Sequence, residues 1–180
     1  MAPEKTDQRI DDRTRLLAHF EGDTADHQSR WSELWDQGDF LPWDKGAPNP
    51  ALIDLLTSKD GASIGNAIEE HQGNGHQRRR KVLVPGCGRG YDVLLFASFG
   101  FDAYGLEVSD SAVKRCKEEQ ETNGQKYPVQ NGSGAGKIQF LDGDFFGEAW
   151  AQDLGLDGFD VIYDYTVGVL WPLLAMTGPG

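Results

Sequence analysis

The chain has 180 residues, 38% hydrophobic and 26% charged, with a formal net charge of −12. That length suits one domain with a real core; no run reaches the about 20 apolar residues of a membrane span, and so acidic a chain repels nucleic acid. The N-terminus is polar and acidic (Glu4, Asp7, Asp11, Asp12), without the apolar stretch of a secretory signal, and two cysteines, Cys87 and Cys116, make no disulfide framework, which suits a reducing, cytoplasmic setting.

Residues 1–26 read as helical but weakly patterned. Residues 27–43 carry Trp31, Trp35, Phe40 and Trp43. Trp31 and Trp35 are four apart and share a helix face, which Gly38 and Pro42 bring to an end. A second helix covers 49–56, with Asn49 as N-cap and Pro50 at its first position. Residues 57–77 are polar and glycine-bearing and read as a surface loop or short insertion. The basic run Arg78-Arg79-Arg80-Lys81 reads as a solvated lead-in, with an anion or partner contact as the alternative.

From Lys81 the pattern alternates. Val82-Leu83-Val84 is a strand, Gly86-Cys87-Gly88-Arg89-Gly90 a turn, and Val93 to Ala97 helical. A second strand, 103–108, precedes a helix from about Ser109 to Asn123, capped by Ser109 or Asp110. The glycine-rich stretch 124–136 reads as a flexible loop. The third strand is Ile138–Asp142, followed by Gly143-Asp144-Phe145-Phe146, and the fourth is Phe159–Asp164. Such alternation predicts a parallel sheet with helices on both faces.

Strand, glycine turn and helix start form the layout in which a nucleotide-like ligand lies against backbone amides. Without Cβ atoms, the glycines permit left-handed angles and close approach of a ligand. Cys87 reads as a small side chain in that turn, not as a nucleophile. Glu107 ends the second strand, 21 residues after Gly86. A carboxylate there accepts hydrogen bonds from ribose hydroxyls; the alternative is a loop carboxylate capping the next helix. The spacing is G-x-G-x-G, not the G-x-G-x-x-G usual in dinucleotide binders.

Together with Gly143-Asp144-Phe145 after the third strand, these features resemble the class I S-adenosylmethionine-dependent methyltransferases. The resemblance implies that Gly86, Gly88 and Gly90 face the methionine end of S-adenosyl-L-methionine. It implies that Glu107 holds the ribose and that Asp144 and Phe145 flank the adenine. Arg30-Trp31-Ser32-Glu33-Leu34-Trp35, then Leu41-Pro42-Trp43-Asp44-Lys45-Gly46, is similar to the N-terminal signature of the thiopurine S-methyltransferase family. The branch most resembled is the halide/thiol methyltransferases, in which a Trp-x-x-x-Trp helix precedes a Thr-Pro-Trp-Asp-type turn; Leu41 stands in place of Thr. Val84-Pro85-Gly86-Cys87-Gly88 and Asp160–Tyr165 fit the same family and add Asp164 and Tyr165 to the cofactor-binding candidates. The resemblance covers about residues 27–166.

An indole face attracts a cation within about 6 Å, so a lid bearing Trp31, Trp35 and Trp43 suits a sulfonium. The pattern alone serves equally well as plain core; the resemblance implies a cofactor-facing role for at least two of the three. Methyl transfer is an in-line displacement that depends on desolvation and alignment. A small thiol, sulfide or halide is already a competent nucleophile, so little acid–base machinery is implied and no catalytic residue is named. His19, His27, His71 and His76 fall in stretches read as surface, and no spacing suggests a metal.

The resulting expectation is a Rossmann-like doubly wound sheet of the class I methyltransferase type, truncated after about the fourth strand. It forms one incomplete domain: a helical lid region (1–56), a cofactor-binding core (81–166) and a divergent tail (167–180). The tail does not continue the family pattern. A truncated gene product is expected, unstable or inactive as it stands, with the fourth strand exposed. Two rivals remain: a nicotinamide-dependent oxidoreductase, which the glycine spacing disfavours, and a non-catalytic cofactor-binding fragment or regulatory partner. A nucleic-acid or protein methyltransferase is disfavoured by the acidity and by the lack of an appended recognition domain or an Asn-Pro-Pro-Tyr-like base-flipping motif.

Overall fold

The computed structural model describes residues 5–23, 26–58, 64–70, 77–130, 132, 134–147, 149–152, 154–155, 158–165 and 167. Two helices, α1 (Lys5–His19) and α2 (His27–Gln37), open the chain. The turn after α1 buries Phe20 with Leu34 and Phe40, and Leu16, Trp31, Leu41 and Trp43 pack against these three. The N-terminal segment therefore has an apolar cluster of its own. His27 lies within it, 2% exposed and edge-on to Phe20, which corrects its reading as a surface residue. α2 stops at Gly38, whose left-handed φ of 69° turns its amide back onto Leu34 O. α3 (Pro50–Thr57) begins as expected, with Asn49 Oδ1 accepting from Ala51 N at 3.0 Å.

The stretch expected as loop, 57–77, contains structure. β1 (Ile68–Glu70) pairs antiparallel with β2 (Gln77–Arg79), with Glu69 opposite Arg78. Arg78 reaches Glu69 at 2.5 Å and also forks onto Asp160, at 2.6 and 2.8 Å. Arg79 donates to Gly100 O at 2.7 Å, and Arg80 donates to Ile64 O. Three residues of the basic run, Arg78, Arg79 and Arg80, thus have protein partners, although Arg78 makes its contacts at the surface.

The main sheet is wholly parallel. β3 (Lys81–Pro85), β4 (Asp102–Glu107), β5 (Ile138–Asp142) and β6 (Val161–Ile162) lie in the order β5-β4-β3-β6. The β3–β4 register runs from Lys81↔Asp102 to Pro85↔Leu106. Between these strands come α4 (Tyr91–Ser98), α5 (Asp110–Asn123) and α6 (Ala149–Gln152). Ser109 caps α5, its hydroxyl accepting from Ala112 N at 3.3 Å.

The two sheet faces separate by strand parity. Val82, Val84 and Ala103 join Val93 and Phe96 of α4 and Leu52 of α3 in one core. Leu83, Tyr104 and Leu106 face the other way, under Phe145, Phe159 and Trp150 of α6. The loop expected over 124–136 is partly built in: Gly124–Lys126 is a 3-10 turn, and Gly136 N donates to Ala97 O at 2.9 Å. β6 is shorter than the 159–164 expected because Phe159 drops into the second core and the Asp160 carboxylate turns back to accept from Lys81 N at 2.7 Å. Among the described residues β6 pairs only with β3, and Ile162 is 56% exposed. The tail 168–180 lies outside the described residues. Among these residues no helix is long and apolar enough to cross a membrane.

Candidate functional site

β3 ends at Pro85, and the chain reverses through Gly86, Gly88 and Gly90 with φ of 58°, 56° and 79° into the first turn of α4. All three angles are left-handed, the region L side chains resist. At Gly90 a Cβ would also meet the Phe140 ring at 2.6 Å, so shape as well as conformation requires glycine. Gly90 N closes the turn onto Cys87 O at 2.8 Å.

Glu107, at the carboxyl end of β4, sits directly behind this turn. Its Oε2 accepts from Gly88 N and its Oε1 from Val108 N, both at 3.0 Å. Burial pushes the carboxyl up to about 7, although the amides of Gly88, Val108 and Ser109 pull it back. Cys116 of α5 holds the turn from beneath, donating to Gly88 O at 2.8 Å. The Cys87 and Cys116 sulfurs are 3.9 Å apart, and both thiols are free. Contact with Cys116 and burial push Cys87 well above the usual thiol range, which disfavours the thiolate.

One tryptophan packs directly against the turn. Trp35 is 2% exposed, and its ring is 3.4 Å from where a Cβ on Gly88 would stand. Trp43 contacts Trp31 at 5.1 Å and Trp35 at 6.1 Å between centroids. Trp31 and Trp43 thus pack on the N-terminal apolar cluster, while Trp35 is buried beside the turn.

On the far side of Glu107, Gly143 N donates to Glu107 O at 2.9 Å and Asp142 pairs with Glu107 in register. This brings Asp144 and Phe145 to the same sheet edge. Asp144 folds into a tight turn, accepting from Phe146 N at 3.0 Å, and Phe145 leans on the second core. Asp164 and Tyr165 stand at the carboxyl end of β6, across β3 from Glu107. Both are exposed, Tyr165 by 62%.

The sequence reading did not foresee the contacts that clamp the N-terminal segment onto this centre, Asn49 being read only as a helix cap. Asp44 Oδ2 accepts from Arg89 Nε at 2.5 Å, and its Oδ1 accepts from the Tyr91 hydroxyl at 3.2 Å. Asn49 N donates to Asp92 at 2.8 Å, and Asn49 Nδ2 donates to the Tyr163 hydroxyl at 3.0 Å. A basic residue between two glycines of a tight turn was the one local hint of such a partner. An open groove of about 440 Å³, lined by Asn66, Ile68, Glu69, Glu70, Arg80 and Asp160, lies at the opposite end of the sheet. Its Glu69, Arg80 and Asp160 already serve the hairpin contacts. The glycine turn is therefore the candidate site.

The family model described as "Thiopurine S-methyltransferase (TPMT)" matches residues 26–173. Among curated relatives, "Probable thiol methyltransferase 2" of Arabidopsis thaliana is 33% identical over 137 residues, covering 76% of this chain and 46% of the relative. "Thiocyanate methyltransferase 1" of Brassica oleracea is 30% identical over 151 residues, covering 84% and 53%. A "Thiopurine S-methyltransferase" of Legionella pneumophila is 26% identical over 148 residues, covering 79% and 57%. The chain spans about half the length of the curated relatives it matches.

Proposed function

Because this chain belongs to the thiopurine S-methyltransferase family, we propose that it carries the S-adenosylmethionine-binding part of a methyltransferase acting on a small thiol-type acceptor, with sulfide and halide as further acceptors to test. The observation that carries this reading is the glycine turn of β3 with the Glu107 carboxylate at its back. The residues fit such a cofactor. Three left-handed glycines keep side chains off the turn, and Glu107 is a buried carboxylate whose ionised form gains from hydroxyl donors. Bound there, S-adenosylmethionine would supply an electrophilic methyl group on a sulfonium.

The chain's own residues would do the rest. Gly86, Gly88 and Gly90 offer close backbone approach, and Glu107 takes the ribose hydroxyls. Asp144 and Phe145 border the adenine side, with Asp164 and Tyr165 across β3. The indoles of Trp31, Trp35 and Trp43 exclude water and favour a positive charge. Exclusion and alignment are the main requirements of a displacement by a soft nucleophile, so no acid–base pair is invoked.

Calorimetric titration with S-adenosylhomocysteine tests the reading without an acceptor. Saturable binding that Glu107→Ala abolishes is the expected result. A folded, monodisperse sample that binds nothing would overturn the cofactor assignment. Binding without turnover of thiol, sulfide or iodide would instead favour a non-catalytic cofactor binder.

A further inference from the structure

The tightest link between the lid region and the cofactor turn is the Asp44 carboxylate. It lies in a well-defined turn: Asp44 N donates to Leu41 O at 2.9 Å, Gly46 N donates to Asp44 Oδ1 at 3.0 Å, and Lys45 Nζ donates to Pro42 O. That turn aims the carboxylate at Arg89, in the middle of the glycine turn, and at Tyr91, the first residue of α4. The Asp44 side chain is 14% exposed and that of Arg89 30%. The pair is thus shielded enough to escape the weakness of exposed ion pairs. The residue before Asp44 is Trp43, which touches Trp35, and Trp35 lies on Gly88. The contacts close a ring: Gly88, Trp35, Trp43, Asp44, Arg89 and back to Gly88.

We propose that Asp44 is a positioning residue, a latch that holds the tryptophan strap down on the glycine turn so that turn and strap present the cofactor site as one unit. This deepens the cofactor reading above and rests on it. Three features argue for a latch rather than an incidental surface pair. Both carboxylate oxygens are used, so the orientation is fixed. The partners lie 45 and 47 residues away, in the turn and helix that form the site. No other contact in the ring is ionic: the remaining links are ring contacts and chain connectivity, which resist sliding poorly.

A double-mutant cycle tests this. Asp44→Asn keeps shape and removes charge, Arg89→Gln removes the guanidinium, and the third protein carries both. The probe is S-adenosylhomocysteine, titrated by calorimetry, with acrylamide quenching of tryptophan fluorescence in the free proteins and a melting curve for each. The expected result is about tenfold weaker binding for each single variant. The double variant should also be about tenfold weaker, since the latch is lost once. All three should be quenched more readily than the parent. An effect of about a hundredfold in the double variant would mean independent contributions and overturn the latch. So would undiminished binding by the single variants when the parent binds. A parent that binds no S-adenosylhomocysteine overturns the cofactor reading itself, and with it the role assigned to the latch.

Discussion

Glu107→Gln separates what the carboxylate costs the fold from what it offers a ligand. In the folded chain burial raises Glu107 from 4.5 to about 7. The sign follows from which state holds the proton more tightly. Below about pH 4.5 both folded and unfolded chains carry it, and there is no penalty. Between 4.5 and about 7 the unfolded chain ionises first, so stability falls as pH rises. Above about 7 both are ionised and the folded state bears the full penalty, about 3 kcal/mol. Glutamine does not titrate. It keeps an acceptor for one of the two backbone amides, Gly88 N or Val108 N, but turns an NH₂ toward the other, losing about 1 kcal/mol. Variant and parent should therefore be about equally stable near pH 5, and the variant more stable by about 2 kcal/mol at pH 8. Urea unfolding followed by tryptophan fluorescence at several pH values between 5 and 8 measures the difference, and other titrating groups cancel in it. A difference that does not grow with pH would refute the argument. On the proposed cofactor reading the same variant should bind S-adenosylhomocysteine more weakly, and parent binding should weaken as pH falls below 7, because the ionised carboxylate is the stronger acceptor for a hydroxyl donor.

Gly90→Ala should cost several kcal/mol, since it combines a left-handed φ with a Cβ 2.6 Å from Phe140; Gly88→Ala, with only Trp35 at 3.4 Å, should cost about 1–2 kcal/mol, read by urea midpoints. Asn49→Ala removes the cap of α3 and the donor to Tyr163, and should lower stability by about 2 kcal/mol in the same assay. Asp160 is held down to about 2 by its bond to Arg78. Its contribution is present above about pH 4 and lost as pH falls toward 2, so acid unfolding of Asp160→Asn should show a shallower loss of stability over that window than the parent.

Local chemistry made the parallel-sheet half readable. The run Val82-Leu83-Val84 is buried on both faces and so reads as a central parallel strand, and Gly38, Asn49 and Ser109 are terminal signals that act within four residues. The hairpin β1–β2 was not readable. Ile68-Glu69-Glu70 and Gln77-Arg78-Arg79 have no hydrophobic alternation, and the pair is fastened by Glu69–Arg78 and by Asp160, 82 residues from Arg78. His27 looked like surface because its neighbours are polar, whereas it is buried against Phe20, in the turn that follows α1. Asp44 and Arg89 failed to stand out for the same reason: each becomes informative only when the other is in place.

The position of the turn also follows from topology. β3 has β4 on one side and β6 on the other, so the winding direction reverses at β3. In an open parallel sheet the connections on either side of such a reversal leave in opposite directions and open a crevice at the carboxyl ends of the strands. The glycine turn lies at that point, Glu107 closes one flank, and Asp164 and Tyr165 stand on the other. Three separate elements then address one five-residue turn: Glu107 from β4 holds Gly88 N, Cys116 from α5 holds Gly88 O, and Asp44 from the strap holds Arg89. A turn with three left-handed glycines has little conformational preference of its own. Its shape is imposed by these tertiary contacts, so substitutions at any of the three should alter ligand affinity even where the substituted side chain touches no ligand.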